Sequence, residues 1–139
     1  MDVLNKAFIE YEVDPQHRTV ICTAKNTKWL FLDFLNNNSF NFSITTELLN
    51  KLEMQPEFWG RAVALNEDVW NEQEGKLLAY HRMRKKISKA MRKRMKTFKN
   101  LINKKMELFE EDFDNYMKKV DNNAARRLEI IKTFSEDEE

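Results

Sequence analysis

Between Lys76 and Lys105 the chain places 13 Lys or Arg residues and no Asp or Glu, although the whole chain has 24 basic and 23 acidic residues and a formal net charge of +1. A near-neutral total therefore hides a cationic segment set in an acidic remainder, and such segregation bears on partners and association rather than on fold. If the segment is a helix with Ile87 at the centre of its apolar face, Lys85, Lys89, Arg92 and Lys96 point within about 40° of directly away from that face. Arg82, Lys86, Lys93 and Lys99 flank this ridge. Cations so arranged can touch successive phosphates and release the counterions condensed there. No aromatic residue interleaves on the exposed side, so stacking on single-stranded bases is not expected. Duplex or structured nucleic acid, read through its backbone, is the expected ligand. The same ridge would also fit an acidic groove on a protein, or neutralise acidic surface of the chain itself. A membrane partner is not expected, because the apolar face runs in phase into an acidic segment that anionic lipid repels.

Other chemistries find little material. His17 falls in a turn and His81 beside Arg82, with no Cys or second His at ligand spacing, so no metal is expected. Glu67/Asp68 and Glu110/Glu111 are neighbours of a kind common on helix surfaces. Two isolated glycines cannot form a phosphate-cradling loop. The lone Cys22, in the alternating run Val20-Ile21-Cys22-Thr23-Ala24, reads as a small buried thiol rather than a reactive one. No nucleophile, base and oxyanion site can be assembled, so neither an enzyme nor a cofactor is expected. Arg94 falls near the apolar stripe and must snorkel outward or pair, for instance with Glu107, Glu110 or Glu111 should the helix turn back. Met83, Met91, Met95 and Met106 read as core, with an adaptable docking surface as the alternative.

The elements that would carry these residues follow from periodicity. Lys6–Asp14 alternates with period two, Asp14-Pro15-Gln16-His17 is a turn, and Arg18–Lys25 returns with Val20, Cys22 and Ala24 on one face: a β-hairpin. Lys28–Leu35 is apolar on nearly every residue and fits either a buried strand or a short core helix. Asn36-Asn37-Asn38-Ser39 reads as a loop, and Thr45 or Thr46 as the cap of a short helix through Glu53 that Pro56 ends. Glu57–Leu65 reads as the last strand, with Gly60 marking a bulge or a close backbone approach. Asn66 or Asp68 would cap the final helix, whose first turns are acidic. Trp29, Trp59 and Trp70, with Phe58, are expected between sheet and helix, Trp70 alternatively as an exposed anchor. The fold class is α+β: a small antiparallel sheet packed by a long C-terminal helix.

From Leu77 the apolar residues recur through Met83, Ile87, Met91, Met95, Phe98, Ile102, Met106, Phe109, Phe113, Tyr116 and Val120 without Gly or Pro. A helix from about Asp68 to Val120 would be ~80 Å long. It must therefore project and pair with another subunit, or fold back near Lys99-Asn100 or Asn103. Phe109, Phe113 and Tyr116 are the residues expected to dock a second copy or another partner. The average spacing exceeds 3.6, which disfavours a regular left-handed coiled coil. Asn122-Asn123 reads as a break, followed by a short helix and an acidic tail. The chain thus divides into a sheet-containing domain (1–75), a basic-then-acidic amphipathic helix (76–121) and a tail (122–139).

Gly60, Ala62, Asp68, Gly75, Ala79 and Arg82 stand in a Gly-x-Ala, Asp, Gly-x-x-x-Ala-x-x-Arg register across a strand-to-helix turn. This pattern, together with the hairpin turning at Asp14-Pro15, resembles a family of small bacteriophage and bacterial proteins. A related family is similar in fold to the double-stranded-RNA-binding domain, a three-stranded antiparallel sheet with a helix across it. The resemblance covers the hairpin and Gly60–Arg82 and implies no activity; the insert Asn26–Gln55 and everything after Lys85 lie outside it. The function expected is a non-enzymatic phage-type accessory protein binding duplex or structured nucleic acid. The alternatives are a phage-encoded, anti-defence inhibitor of a host protein, such as a CRISPR effector nuclease or a polymerase, and a structural homo-oligomer. With a single cysteine, no signal-peptide pattern after Met1 and no long apolar run, a cytoplasmic setting is expected, the host's if the protein is phage-encoded.

Overall fold

A computed structural model of the chain describes residues 7–37, 46–65 and 69–137. The hairpin forms as its alternation predicts, from β1 (Phe8–Asp14) and β2 (Thr19–Lys25). Its turn is held by side chains: the Asp14 carboxylate contacts His17 Nδ1 at 2.6 Å and accepts from the His17 main-chain N–H at 3.2 Å. These two bonds, the ring contact first, hold the Asp14 carboxyl below its usual range. Arg18 closes the turn with a left-handed φ of 49°. β3 (Glu57–Val63) adds antiparallel to β2, giving one sheet in the order β1-β2-β3. The register sets Val20 opposite Ala62, Cys22 opposite Gly60 and Ala24 opposite Phe58, and this face is the buried one. Burial pushes the Cys22 thiol upward in pKa, as an inert core cysteine requires.

The insert between β2 and β3 is helical. Lys28–Leu35, which fitted strand or helix, falls mostly in α1 (Leu30–Asn37), with Leu30, Phe31, Leu32 and Leu35 buried. Asn26 takes a φ of 63° and ends β2, after which the Leu30 N–H donates to the Thr27 carbonyl and starts the turn. Asn36 and Asn37 belong to α1 rather than to a loop, whereas Asn38, Ser39 and Thr45 lie outside the described residues. α2 (Thr46–Leu52) ends before Pro56 as expected. The two ends of the insert are clasped: Thr27 Oγ1 donates to the Gln55 carbonyl at 2.6 Å, Thr27 N to Pro56 O at 3.2 Å and Met54 N to Lys28 O at 2.8 Å. Thr27 is fully buried, so these bonds also satisfy its polar atoms.

The final helix, α3, runs from Glu72 to Asp137. Its cap is Asn71, whose Oδ1 accepts from the Gln73 and Glu74 main-chain N–H groups at 3.0 and 3.1 Å. The expected caps, Asn66 and Asp68, lie outside the described residues. The helix continues through Asn100, Asn103 and Asn122-Asn123, so the fold-back, one of the two alternatives for this helix, does not form, and the expected break is not present. Asn costs at most about 0.7 kcal/mol in a helix interior, and no Gly or Pro follows Gly75 in α3 to add to it. The chain divides at Phe98/Lys99 into two compact units.

In the first unit α3 packs on the sheet through Ala79, Met83 and Ile87, and Phe98 meets Phe31 of α1 edge to face with ring centroids 6.0 Å apart. The expected tryptophan core is corrected. Trp29 and Trp59 are 40% and 51% exposed, Trp70 is half-buried, and only Phe58 of that group is core. Small residues explain it, since Ala24, Gly60, Ala62 and Ala79 let the helix sit too close to the sheet for an indole to fit. Leu77 and Met95 are likewise exposed, Met106 is exposed in the second unit, and Met83 alone of the four methionines is fully buried.

Arg94 does not snorkel to solvent and, among the described residues, meets no carboxylate: its Nε donates to the Glu53 carbonyl at 2.7 Å, just past the end of α2. A cation there satisfies an orphan carbonyl and complements the helix dipole. Arg94→Met, which keeps the apolar stem, is expected to lower unfolding free energy by about 1–2 kcal/mol in urea titration. An unchanged midpoint would show that the bond contributes nothing.

Candidate nucleic-acid interface

β3 is an edge strand, and its Trp59 and Arg61 carbonyls, two residues apart, belong to the same side of the strand. Both are taken by the basic helix. Lys86 Nζ donates to Trp59 O at 2.7 Å and Arg82 Nη1 to Arg61 O at 2.7 Å. These contacts occupy acceptors that an edge strand otherwise offers to another chain. They also fix α3 beside β3 so that an open groove of about 810 Å³ lies along the junction. Arg61 from the strand and Arg82, Lys85, Lys86, Lys89 and Arg92 from the helix line it, together with Trp59, Gly60 and Ser88. Among the described residues, no Asp or Glu lines the groove.

The helical spacing explains the grouping. Arg82, Lys86 and Lys89 follow one another at four and three residues, and Lys85, Lys89 and Arg92 do the same, so both rows rise on one side of α3. Among the described residues, none of Arg82, Lys85, Lys86, Lys89, Arg92, Lys93, Lys96 and Lys99 is ion-paired to a carboxylate. The described pairs lie elsewhere: Lys25 with Glu10 at 3.0 Å, Lys28 with Glu53 at 3.6 Å, and His17 with Asp14. The bond that Lys25 donates to the Glu10 carboxylate holds the lysine above its usual range. Among the described residues, the ridge cations are therefore not neutralised by the chain's own carboxylates.

Of the eight cations expected to bind, the groove gathers Arg82, Lys85, Lys86, Lys89 and Arg92. Lys93 and Lys96 are exposed on the helix outside it, and Lys99 belongs to the second unit. Phe109, Phe113 and Tyr116 are exposed in the second unit and take no part in the groove.

Two groove residues were missed by reading the helix alone, Trp59 and Arg61. The parity of β3 carried the signal. Phe58, Gly60 and Ala62 alternate inward, so Trp59 and Arg61 must face out. The basic helix brings no aromatic of its own to the groove, but β3 places Trp59 beside it. Lys86 Nζ lies 4.0 Å from the Trp59 ring centroid, a cation–π contact that orients the indole at the groove's edge.

No family model matches the chain, and neither a curated protein nor a solved structure matches it significantly. Among the described residues no group of three or more His, Cys, Asp or Glu side chains could hold a metal ion, and no helix is long and apolar enough to cross a membrane.

Proposed function

We propose that this protein is a non-enzymatic binding protein for duplex or structured nucleic acid, gripping the phosphate backbone in the groove between β3 and α3. The observation that carries this reading is the grouping of six cations along one groove in which, among the described residues, no carboxylate takes part. An anion running past it meets cations from two elements, and affinity would come from counterion release rather than from base contacts. Trp59 at the rim adds a π-face for an unpaired base in a loop or bulge, a contact that a continuous duplex cannot make.

Fluorescence anisotropy with a random duplex and with a stem-loop RNA tests both parts. Trp59→Ala is expected to weaken stem-loop binding by roughly 5- to 100-fold while changing duplex binding by less than about threefold, as loss of one base stack predicts. Absence of binding to either probe would remove the reading. A host protein retained on the immobilised chain after nuclease treatment would replace it with the inhibitor alternative.

A further inference from the structure

Every described side chain from Asn103 to Phe134 is exposed, yet this stretch carries an ordered apolar stripe. Ile102, Met106, Phe109, Phe113, Tyr116 and Val120 follow at intervals of 4, 3, 4, 3 and 4 residues, the spacing of a coiled-coil seam. The looser average over the apolar stripe from Met83 to Val120 concealed this local heptad. Met106, Phe109, Phe113 and Tyr116 are 51%, 66%, 55% and 62% exposed. A lone helix with a wide apolar face draws its stability from whatever covers that face. We infer that the cover is the same face of a second copy, so that the second unit is a dimerisation helix.

Charge selects this occupant. Lys105, Asp112 and Lys119 flank the seam at seven-residue steps on one side, and Glu110 lies on the other. An antiparallel second copy sets Asp112 beside its Lys119, and a parallel one sets Lys105 beside its Glu110, with each pair formed twice by symmetry. The face is thus self-complementary in either orientation. Nucleic acid would instead be repelled by Glu107, Glu110, Glu111, Asp112 and Asp114. The area is also sufficient. At about 150–250 Å² per aromatic side chain, and weighted by their exposures of 66%, 55% and 62%, Phe109, Phe113 and Tyr116 alone offer roughly 350 Å² per copy. Met106, Val120 and the flanking stems bring two copies to about 1,000 Å², the lower bound for a specific interface.

Sedimentation of the full chain tests this, independently of nucleic acid. The expected mass at ~100 μM, a concentration at which even a weak micromolar dimer is filled, is twice the 16.8 kDa of the chain. Phe109→Asp with Phe113→Asp is expected to raise the dissociation constant at least ~100-fold, as for buried anchor residues. The ellipticity at 222 nm should fall as the uncovered helix frays, while a cooperative thermal transition followed by near-ultraviolet circular dichroism persists and shows the first unit to be folded. A monomer at that concentration, or a dimer undiminished in the double variant, would overturn the inference.

Discussion

Changing Lys85, Lys89, Arg92 and Lys96 together to Glu is expected to abolish measurable duplex binding, an affinity loss of at least ~100-fold at ~0.1 M salt. Three of these four line the groove, and Lys96 lies outside it, so Lys96→Glu alone should cost little by comparison. The same quadruple variant should be no less stable than the parent. Lys85 and Lys89, and Lys89 with Arg92, are like-charge neighbours at i,i+4 and i,i+3, each such pair costing about 0.2–0.5 kcal/mol. The four reversed positions stay like-charged among themselves, so those pairs do not change sign, but the unreversed cations now attract: Arg82 faces position 85, Lys86 and Lys93 face position 89, and Lys93 and Lys99 face position 96 at i,i+3 or i,i+4. Lost binding with an unchanged or higher melting temperature is the signature of cations held for an external anion. Lost stability would instead mean that these side chains support the fold.

Gly60→Ala is the second large effect, and it acts through the backbone. A Cβ at position 60 would collide with the main-chain oxygen of Ala79 and the main-chain nitrogen of Met83, and would lie 2.9 Å from the Arg82 carbonyl carbon. No side chain can swing aside to relieve this, so α3 must move off β3. The expected cost is about 3 kcal/mol, at the upper end for overpacking, or a fall in melting temperature of roughly 10 °C or more for a unit of about 100 residues. The displacement would also stretch the 2.7 Å bonds from Arg82 to Arg61 O and from Lys86 to Trp59 O, which set the groove wall. Binding should therefore weaken even below the melting transition. A variant with parental stability would show that helix and strand do not approach as closely as described.

These two positions also mark what the sequence made legible. Gly60 stood out inside an apolar strand, and the close backbone approach it signalled is present. The hairpin was readable because period-two alternation and Asp14-Pro15 chemistry are local. The ridge was readable because helical geometry fixes which lysines share a face. Trp59 and Trp29 were misjudged because size alone suggested core, whereas the alternation of Phe58, Gly60 and Ala62 assigned the inward face to smaller residues. The Asn71 cap was passed over for earlier Asn and Asp residues, as local composition offered several equivalent candidates. The groove was not legible at all, because its walls come from residues more than twenty positions apart, joined by side-chain bonds to a strand edge. Arg94 shows the same limit: its partner is a carbonyl 41 positions away, and no charge pattern points to it.

The affinity of the unmodified protein for a random duplex, followed from ~50 to ~200 mM salt, tests the central claim most directly. About five phosphate contacts in the groove predict a log–log slope near −4.5 and a loss of roughly 500-fold across that range. A slope near zero with binding retained would contradict electrostatic gripping of a phosphate backbone by this groove.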